Sequence, residues 1–197
     1  MQPKQRYSFA EAYDVTVKAA RSVGSFARTR GRLGLPFVER LMLAVTEVNG
    51  CPICAYGHAR VALRAGIAED EIRQLLGGGF EDAPARELLA LTFAQHYADT
   101  KGRPDQDTWV RIQDEYGLDE ALGILGAIRM IMWGNVVGIA YSGFRSRLVG
   151  DSLLGSSIPR DLAMLLFGLL TLPVALLHGA VLNAIRRPIL EGTPRHG

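Results

Sequence analysis

An all-α fold is predicted by two features of this sequence. Apolar residues recur with a helical period along most of the chain, and no Val/Ile/Thr-rich run alternates with the period of a strand. Residues that start or stop helices also divide the chain into segments of helical length. With 197 residues, 48% of them hydrophobic, the chain is long enough for a domain with a buried core.

The first helix has a capping box at its start. Ser8 can accept a hydrogen bond from the first helical turn, and Glu11, three residues later, can reach back to the Ser8 backbone. We expect this helix to run to about Thr29, before the break in "RGRLGLP".

The second and third helices meet at a tight turn. Pro36 suits the first turn of the second helix, and Asn49-Gly50 ends it because both residues tolerate a left-handed conformation. Pro52 then suits the first turn of a third helix, which stops at Gly66. The remaining periodic segments predict four more helices, within 66–79, 82–100, 104–117 and 119–148.

The sequence divides into a predicted helical domain at 1–150 and an apolar helical extension at 151–197. "GDSLLGSS" (150–157) has the composition of a linker between them. The extension contains 24 residues without a formal charge, 162–185, which is enough to span a bilayer as one helix. Pro173 is expected to kink or break this segment.

Two environments are open for the 162–185 segment. We expect two short helices that meet at Pro173 and are buried in a homo-oligomer, because an all-round apolar helix in a soluble protein must be covered. The alternative is membrane association, for which Arg residues at both ends give no clear orientation.

Composition favours a cytoplasmic protein. The net charge is +2 and the Arg residues are scattered, so no nucleic-acid surface is indicated. The N-terminal stretch lacks the apolar core of a secretory signal. Two cysteines are too few for a disulfide-framed secreted domain.

Both cysteines lie in "NGCPICAYGH" (49–58). If Pro52 is the first residue of the third helix, Cys51 is the N-cap and Cys54 lies in the first turn. The positive end of the helix dipole favours a thiolate there. At an ordinary pKa only about 3% of a thiol is ionised at pH 7, so a shift of roughly two units would make the thiolate predominant.

His58 and Glu47 complete a candidate catalytic group. Cys54 and His58 are four residues apart and share a helical face, so the imidazole can exchange a proton with the Cys54 sulfur. Glu47 lies across the tight turn, where a carboxylate could orient the imidazole or hold a shared water. Even one unbroken helix would place all four side chains within about 60° of each other.

Two other interpretations of the cysteines stay open at this point. A structural zinc site usually needs four Cys/His ligands, and the sequence has no second cysteine pair. Alternatively, both cysteines are small buried hydrophobes, as cysteines commonly are.

The stretch "EVNGCPICAYGH", followed by "ALRAGIAEDEI", resembles the alkyl hydroperoxidase D and carboxymuconolactone decarboxylase family. The resemblance spans roughly 36–149 and includes Asn135 on the long helix. It implies an all-helical bundle that assembles into trimers or hexamers and reduces peroxides with a dithiol. It also implies that Cys54 attacks the peroxide, Cys51 resolves the product as a disulfide, and His58 and Glu47 relay protons.

One residue departs from the best-known hydroperoxidase of this family. That enzyme has a His immediately before its second cysteine, whereas this chain has Ile53. The lactone decarboxylases of the family generally lack the cysteine pair, so the pair argues against decarboxylation.

The predicted function is therefore a CxxC-dependent, alkyl hydroperoxide reductase-like peroxidase or thiol-disulfide oxidoreductase. Its expected partners are a hydroperoxide substrate and a thioredoxin-like or lipoyl-bearing reductant, with no cofactor, metal or nucleic acid. The expected assembly is a homo-oligomer: a trimer, hexamer or dimer. The alternatives are a redox-inert binding or assembly protein of the same fold and a carboxymuconolactone decarboxylase-like lyase.

Overall fold

A computed structural model describes residues 1–151, 153 and 155–190 of this chain. These residues form an all-α fold without a strand, which confirms the predicted class. The end of the 151–197 extension lies outside the described residues.

Seven α-helices and one short 3₁₀ turn make up the described part of the chain. The helices are α1 (Phe9–Leu33), α2 (Leu35–Asn49), α3 (Pro52–Arg64), α4 (Glu69–Leu75), α5 (Leu88–Asp99), α6 (Gln106–Leu148) and α7 (Ile158–Ala184), and the 3₁₀ turn Ala85–Glu87 precedes α5.

The predicted start and stop residues act as expected in the first half of the chain. The Ser8 side chain accepts from the Glu11 backbone, and the Glu11 carboxylate accepts from the Ser8 backbone at 2.7 Å, which confirms the capping box. Gly50 ends α2 in a left-handed conformation with φ 71°.

Three predicted helix boundaries differ from the structure. Helix α1 continues to Leu33, four residues beyond the expected end at about Thr29. The helices expected at 104–117 and 119–148 run on as α6, although Gly117 (φ 72°, ψ 159°) is non-helical and kinks it there. The two short helices expected to meet at Pro173 are one continuous helix, α7. Proline removes only one backbone donor, and contacts with α1 and α6 hold α7 together on both sides of it.

Helix α6 is the centre of the bundle. It packs against α1, α2, α3, α5 and α7, and its middle section contributes fully buried residues such as Ile124 and Ile128. Arg129 is also buried, and each of its three side-chain nitrogens donates one hydrogen bond: to the Tyr97 hydroxyl at 2.8 Å, to Ser22 Oγ at 3.0 Å and to the Ile189 carbonyl at 2.7 Å. The bond to the Ile189 carbonyl holds the chain after α7 against the core.

Helices α6 and α7 are both long and apolar enough to cross a membrane. Most of the apolar window in α6 is buried in the bundle, as in the core helix of a soluble protein, whereas most of that in α7 is not. The exposed surface of α7 is therefore the unusual feature.

Candidate redox site at the start of helix α3

The turn between α2 and α3 places both cysteines at one helix end. Cys51 is the N-cap of α3, in an extended conformation (φ −85°, ψ 109°), and Pro52 occupies the first turn, as predicted. The Cys51 sulfur accepts the backbone N–H of Cys54 at 3.3 Å. This sulfur therefore occupies the position where a helix start stabilises an anion.

Cys51 and Cys54 are joined by a disulfide bond, with their Cα atoms 5.3 Å apart. Cys51 is fully buried, with 0% of its surface exposed, whereas Cys54 is partly exposed. An external thiol or a peroxide therefore reaches the Cys54 sulfur more easily than the Cys51 sulfur.

A glycine on α6, Gly138, makes room for the cysteine pair. A Cβ atom at Gly138 would lie 2.6 Å from the Cys51 sulfur and 2.7 Å from the Cys54 sulfur. The Cys54 sulfur also lies 3.6 Å from the carbonyl oxygen of Gly134, one turn earlier. Only a residue without a side chain at position 138 permits this close approach of α3 to α6.

His58 lies on α3 and is paired with a carboxylate that the sequence analysis did not identify. Its Nδ1 is 2.8 Å from Oε2 of Glu39 on α2. The side chain of Glu39 is only 6% exposed and that of His58 is 26% exposed. The nearly buried Glu39 carboxylate therefore binds Nδ1 of the imidazole, and Nε2 is left to exchange a proton with a neighbouring group.

Glu47 has a different partner. Its carboxylate forms an ion pair with Lys4, in the N-terminal segment. The structure therefore brings His58 to Glu39 and not to Glu47, and the role of Glu47 as a proton relay stays a prediction.

The N-terminal segment also packs on the turn that carries Cys51. The backbone amides of Lys4 and Gln5 donate to the Asn49 carbonyl, at 3.1 and 3.3 Å. The Tyr7 hydroxyl donates to the Asn49 side chain at 2.6 Å, and burial raises the pKa of this phenol because it disfavours the phenolate. These contacts fix the end of α2 directly before the cysteine pair.

A comparison with known protein families finds a match that includes this region. Residues 11–95 match the carboxymuconolactone decarboxylase family. This part of the chain is therefore similar to that family. No curated protein and no solved structure matches the chain significantly.

The carboxymuconolactone decarboxylase family match runs from α1 into α5. It therefore contains the cysteine pair, His58, Glu39 and Glu47, whereas Gly138 on α6 lies beyond it. The family and its cysteine pair are consistent with redox chemistry of the hydroperoxidase type.

Proposed function

We propose that the protein is a thiol-dependent peroxidase or thiol-disulfide oxidoreductase that uses Cys51 and Cys54. The observation that carries this proposal is the bonded cysteine pair at the start of α3, on the same helix as His58, which is paired with Glu39 of α2. A helix start favours thiolates, and a histidine held by a carboxylate is a common proton-transfer arrangement.

The proposed reaction moves two electrons from the dithiol to the peroxide. The Cys54 thiolate attacks one peroxide oxygen, the O–O bond breaks, and the products are a Cys54 sulfenic acid and an alkoxide, which takes up a proton to become an alcohol. The Cys51 thiol then attacks the Cys54 sulfur, the S–O bond breaks and water leaves. The result is the disulfide of the structure.

Partial exposure of Cys54 supports its assignment as the attacking residue. Cys51 is buried beneath it but is close enough in the chain to bond without moving far, as a resolving residue must. His58 follows Cys54 by one helical turn, so it can take the thiol proton and deliver it to the leaving alkoxide. Glu39 would orient the imidazole through Nδ1.

Turnover requires that the disulfide is reduced again. A dithiol reductant, thioredoxin-like or lipoyl-bearing, would attack the accessible Cys54 sulfur, release the Cys51 thiol, and then resolve the mixed disulfide with its second thiol. A protein disulfide could replace the peroxide as oxidant. The Cys54 thiolate would then attack one of its sulfurs, form a mixed disulfide and release one thiolate, and Cys51 would release the other as the Cys51–Cys54 disulfide forms; this is thiol-disulfide oxidoreductase activity.

Single cysteine variants test the assignment of roles. Cys54→Ser is expected to abolish peroxide reduction, whereas Cys51→Ser is expected to leave one turnover that ends in a trapped sulfenic acid on Cys54. Mass spectrometry after trapping locates the oxidised residue. Sulfenic acid on Cys51 of the Cys54→Ser variant would reverse the roles.

Two further measurements distinguish the alternative functions. A redox-inert binding or assembly protein would show no reversible two-electron couple between the cysteines. A decarboxylase-like lyase would keep its activity after both cysteines are replaced by Ser.

A further inference from the structure

Helix α7 exposes a continuous apolar face to solvent. Nine large apolar residues within 162–185 are between 40% and 73% exposed, and they lie within about 180° of the helix circumference. We define the outer face of α7 by these residues: Leu162, Leu166, Leu169, Leu170, Val174, Leu176, Leu177, Val181 and Ile185.

The opposite side of α7 is fixed to α1. A Cβ atom at Gly179 would lie 3.0 Å from the Ala20 Cβ, so the two helices are in close contact. Arg21 of α1 donates to the Asn183 side chain at 3.1 Å and to the carbonyls of Arg187 and Pro188, at 2.6 and 3.0 Å.

These contacts are incompatible with a transbilayer position of α7. Helix α1 carries charged residues along much of its length, so it would have to enter the hydrocarbon together with α7, or the contacts of Arg21 would have to break. An orientation parallel to a lipid surface keeps every one of these contacts.

Cationic residues lie at both ends of the outer face. Arg160 is exposed at the start of α7, and Arg186 and Arg187 are exposed beyond its other end. Arg145 and Arg147 are exposed at the end of α6, where Arg147 donates to the Ser156 side chain, two residues before α7 begins. No acidic residue occurs in the sequence between Asp161 and Glu191. A helix lying in the plane of a membrane places both ends at the level of the headgroups, where these Arg residues can meet anionic lipids.

We propose that the outer face of α7 is a docking surface for an anionic membrane, on which α7 lies parallel to the lipid plane. A second copy of the chain fits less well, because one partner helix covers a stripe about 100° wide and would leave much of the outer face exposed. A lipid surface covers the whole outer face at once.

The experiment is cosedimentation of the full-length chain with vesicles. One set contains phosphatidylcholine alone and the other also contains phosphatidylserine. We expect binding to both sets, tighter with phosphatidylserine, and a loss of that preference at high salt or in the Arg186→Gln/Arg187→Gln variant.

A matched pair of double variants locates the surface. Leu170→Asp/Leu177→Asp is expected to weaken vesicle binding about tenfold or more, since it places charges at two highly exposed apolar positions of the outer face. Val110→Asp/Leu118→Asp makes the same change at exposed apolar positions of α6 and is expected to bind like the parent chain. Circular dichroism checks that both variants are folded.

Three results would overturn the proposal. The chain could remain in the supernatant with both vesicle sets. The Leu170→Asp/Leu177→Asp variant could dissociate an oligomer in analytical ultracentrifugation while vesicle binding is unchanged, which would assign the outer face to a second copy. Resistance of membrane-bound protein to alkaline carbonate extraction would indicate a spanning helix instead.

Discussion

Replacement of Gly138 by Ala changes the packing behind the cysteine pair by a single carbon atom. That atom would lie 2.6 Å from the Cys51 sulfur, 2.7 Å from the Cys54 sulfur and 3.1 Å from Cγ2 of Ile53. Ordinary contacts between nonbonded heavy atoms are about 3.5–4.0 Å, so the overlap with both sulfurs is about 1 Å. The first turn of α3 must therefore move away from α6.

The expected energy follows from two opposing effects. Overpacking of a well-filled site costs about 1–3 kcal/mol, whereas Gly→Ala inside a helix gains about 1 kcal/mol. Gly138→Ala is therefore expected to lower the free energy of unfolding by about 0–2 kcal/mol. The effect on activity is larger, since a displacement of about 1 Å at reacting groups can cost about 100-fold in rate.

Gly134→Ala is the matched control for this prediction. It lies one turn earlier on the same helix, and the nearest atom to its new Cβ is Cδ1 of Ile131, at an ordinary 3.7 Å. This variant has the same gain in helix propensity without the overlap, and it is expected to be as stable as the parent chain or more so.

Urea unfolding and the rate of peroxide-dependent dithiol oxidation are measured for both variants. The difference in unfolding free energy between them isolates the overlap and is expected to be about 1–3 kcal/mol. Equal stability and equal rates in the two variants would refute the inference that Gly138 makes room for the cysteine pair.

Two further predictions concern charged groups. His58→Ala and Glu39→Gln are each expected to slow dithiol oxidation without unfolding the chain, by up to the 10²–10⁴-fold typical of general acid–base catalysis. Glu47→Gln makes the same change on α2 at a carboxylate that pairs with Lys4, and it should slow the reaction less. Equal losses in the two glutamate variants would contradict the orienting role of Glu39. The hydrogen bond from Lys101 lowers the pKa of Glu11 from 4.5 to about 2, so the stability it contributes is present above pH 4.5 and is lost as the pH falls toward 2. In urea unfolding, Glu11→Gln is therefore expected to have a lower free energy of unfolding than the parent chain near neutral pH, and this difference should shrink as the pH falls. A difference that does not depend on pH would show that the charge is not responsible.

The geometry of the cysteine turn could be predicted from the sequence because its signals are local. Asn49-Gly50 and Pro52 determine where α2 ends and α3 begins, and this alone makes Cys51 the N-cap. The family match at residues 11–95 likewise confirms the predicted resemblance over 36–95.

The partner of His58 could not be predicted in this way because the contact joins two helices. Glu47 is closer in sequence, but the packing of α2 against α3 selects Glu39. One signal was present: Glu39 lies four and seven residues before Leu43 and Thr46, both of which are buried, so a carboxylate occupies the inward face of α2. A charged residue at such a position needs a partner.

The continuity of α7 through Pro173 was also beyond local reasoning. Proline disfavours helix by removing one donor and by its steric demand, but the contacts of α7 with α1 and α6 outweigh this local cost. The role of Gly138 was equally hidden, since a glycine in an apolar helix shows its purpose only when the neighbouring sulfurs are in place.

The central claim is that Cys51 and Cys54 form a redox couple that reduces peroxides, and the most direct measurement is the mass of the purified protein before and after peroxide treatment. The fully reduced chain, freed of reductant, is mixed with a stoichiometric amount of hydroperoxide, and free thiols are alkylated at intervals. We expect loss of both thiols together as the intramolecular disulfide forms, with one alcohol released per disulfide. Thiols that stay reduced, or an alcohol yield that does not depend on them, would contradict the claim.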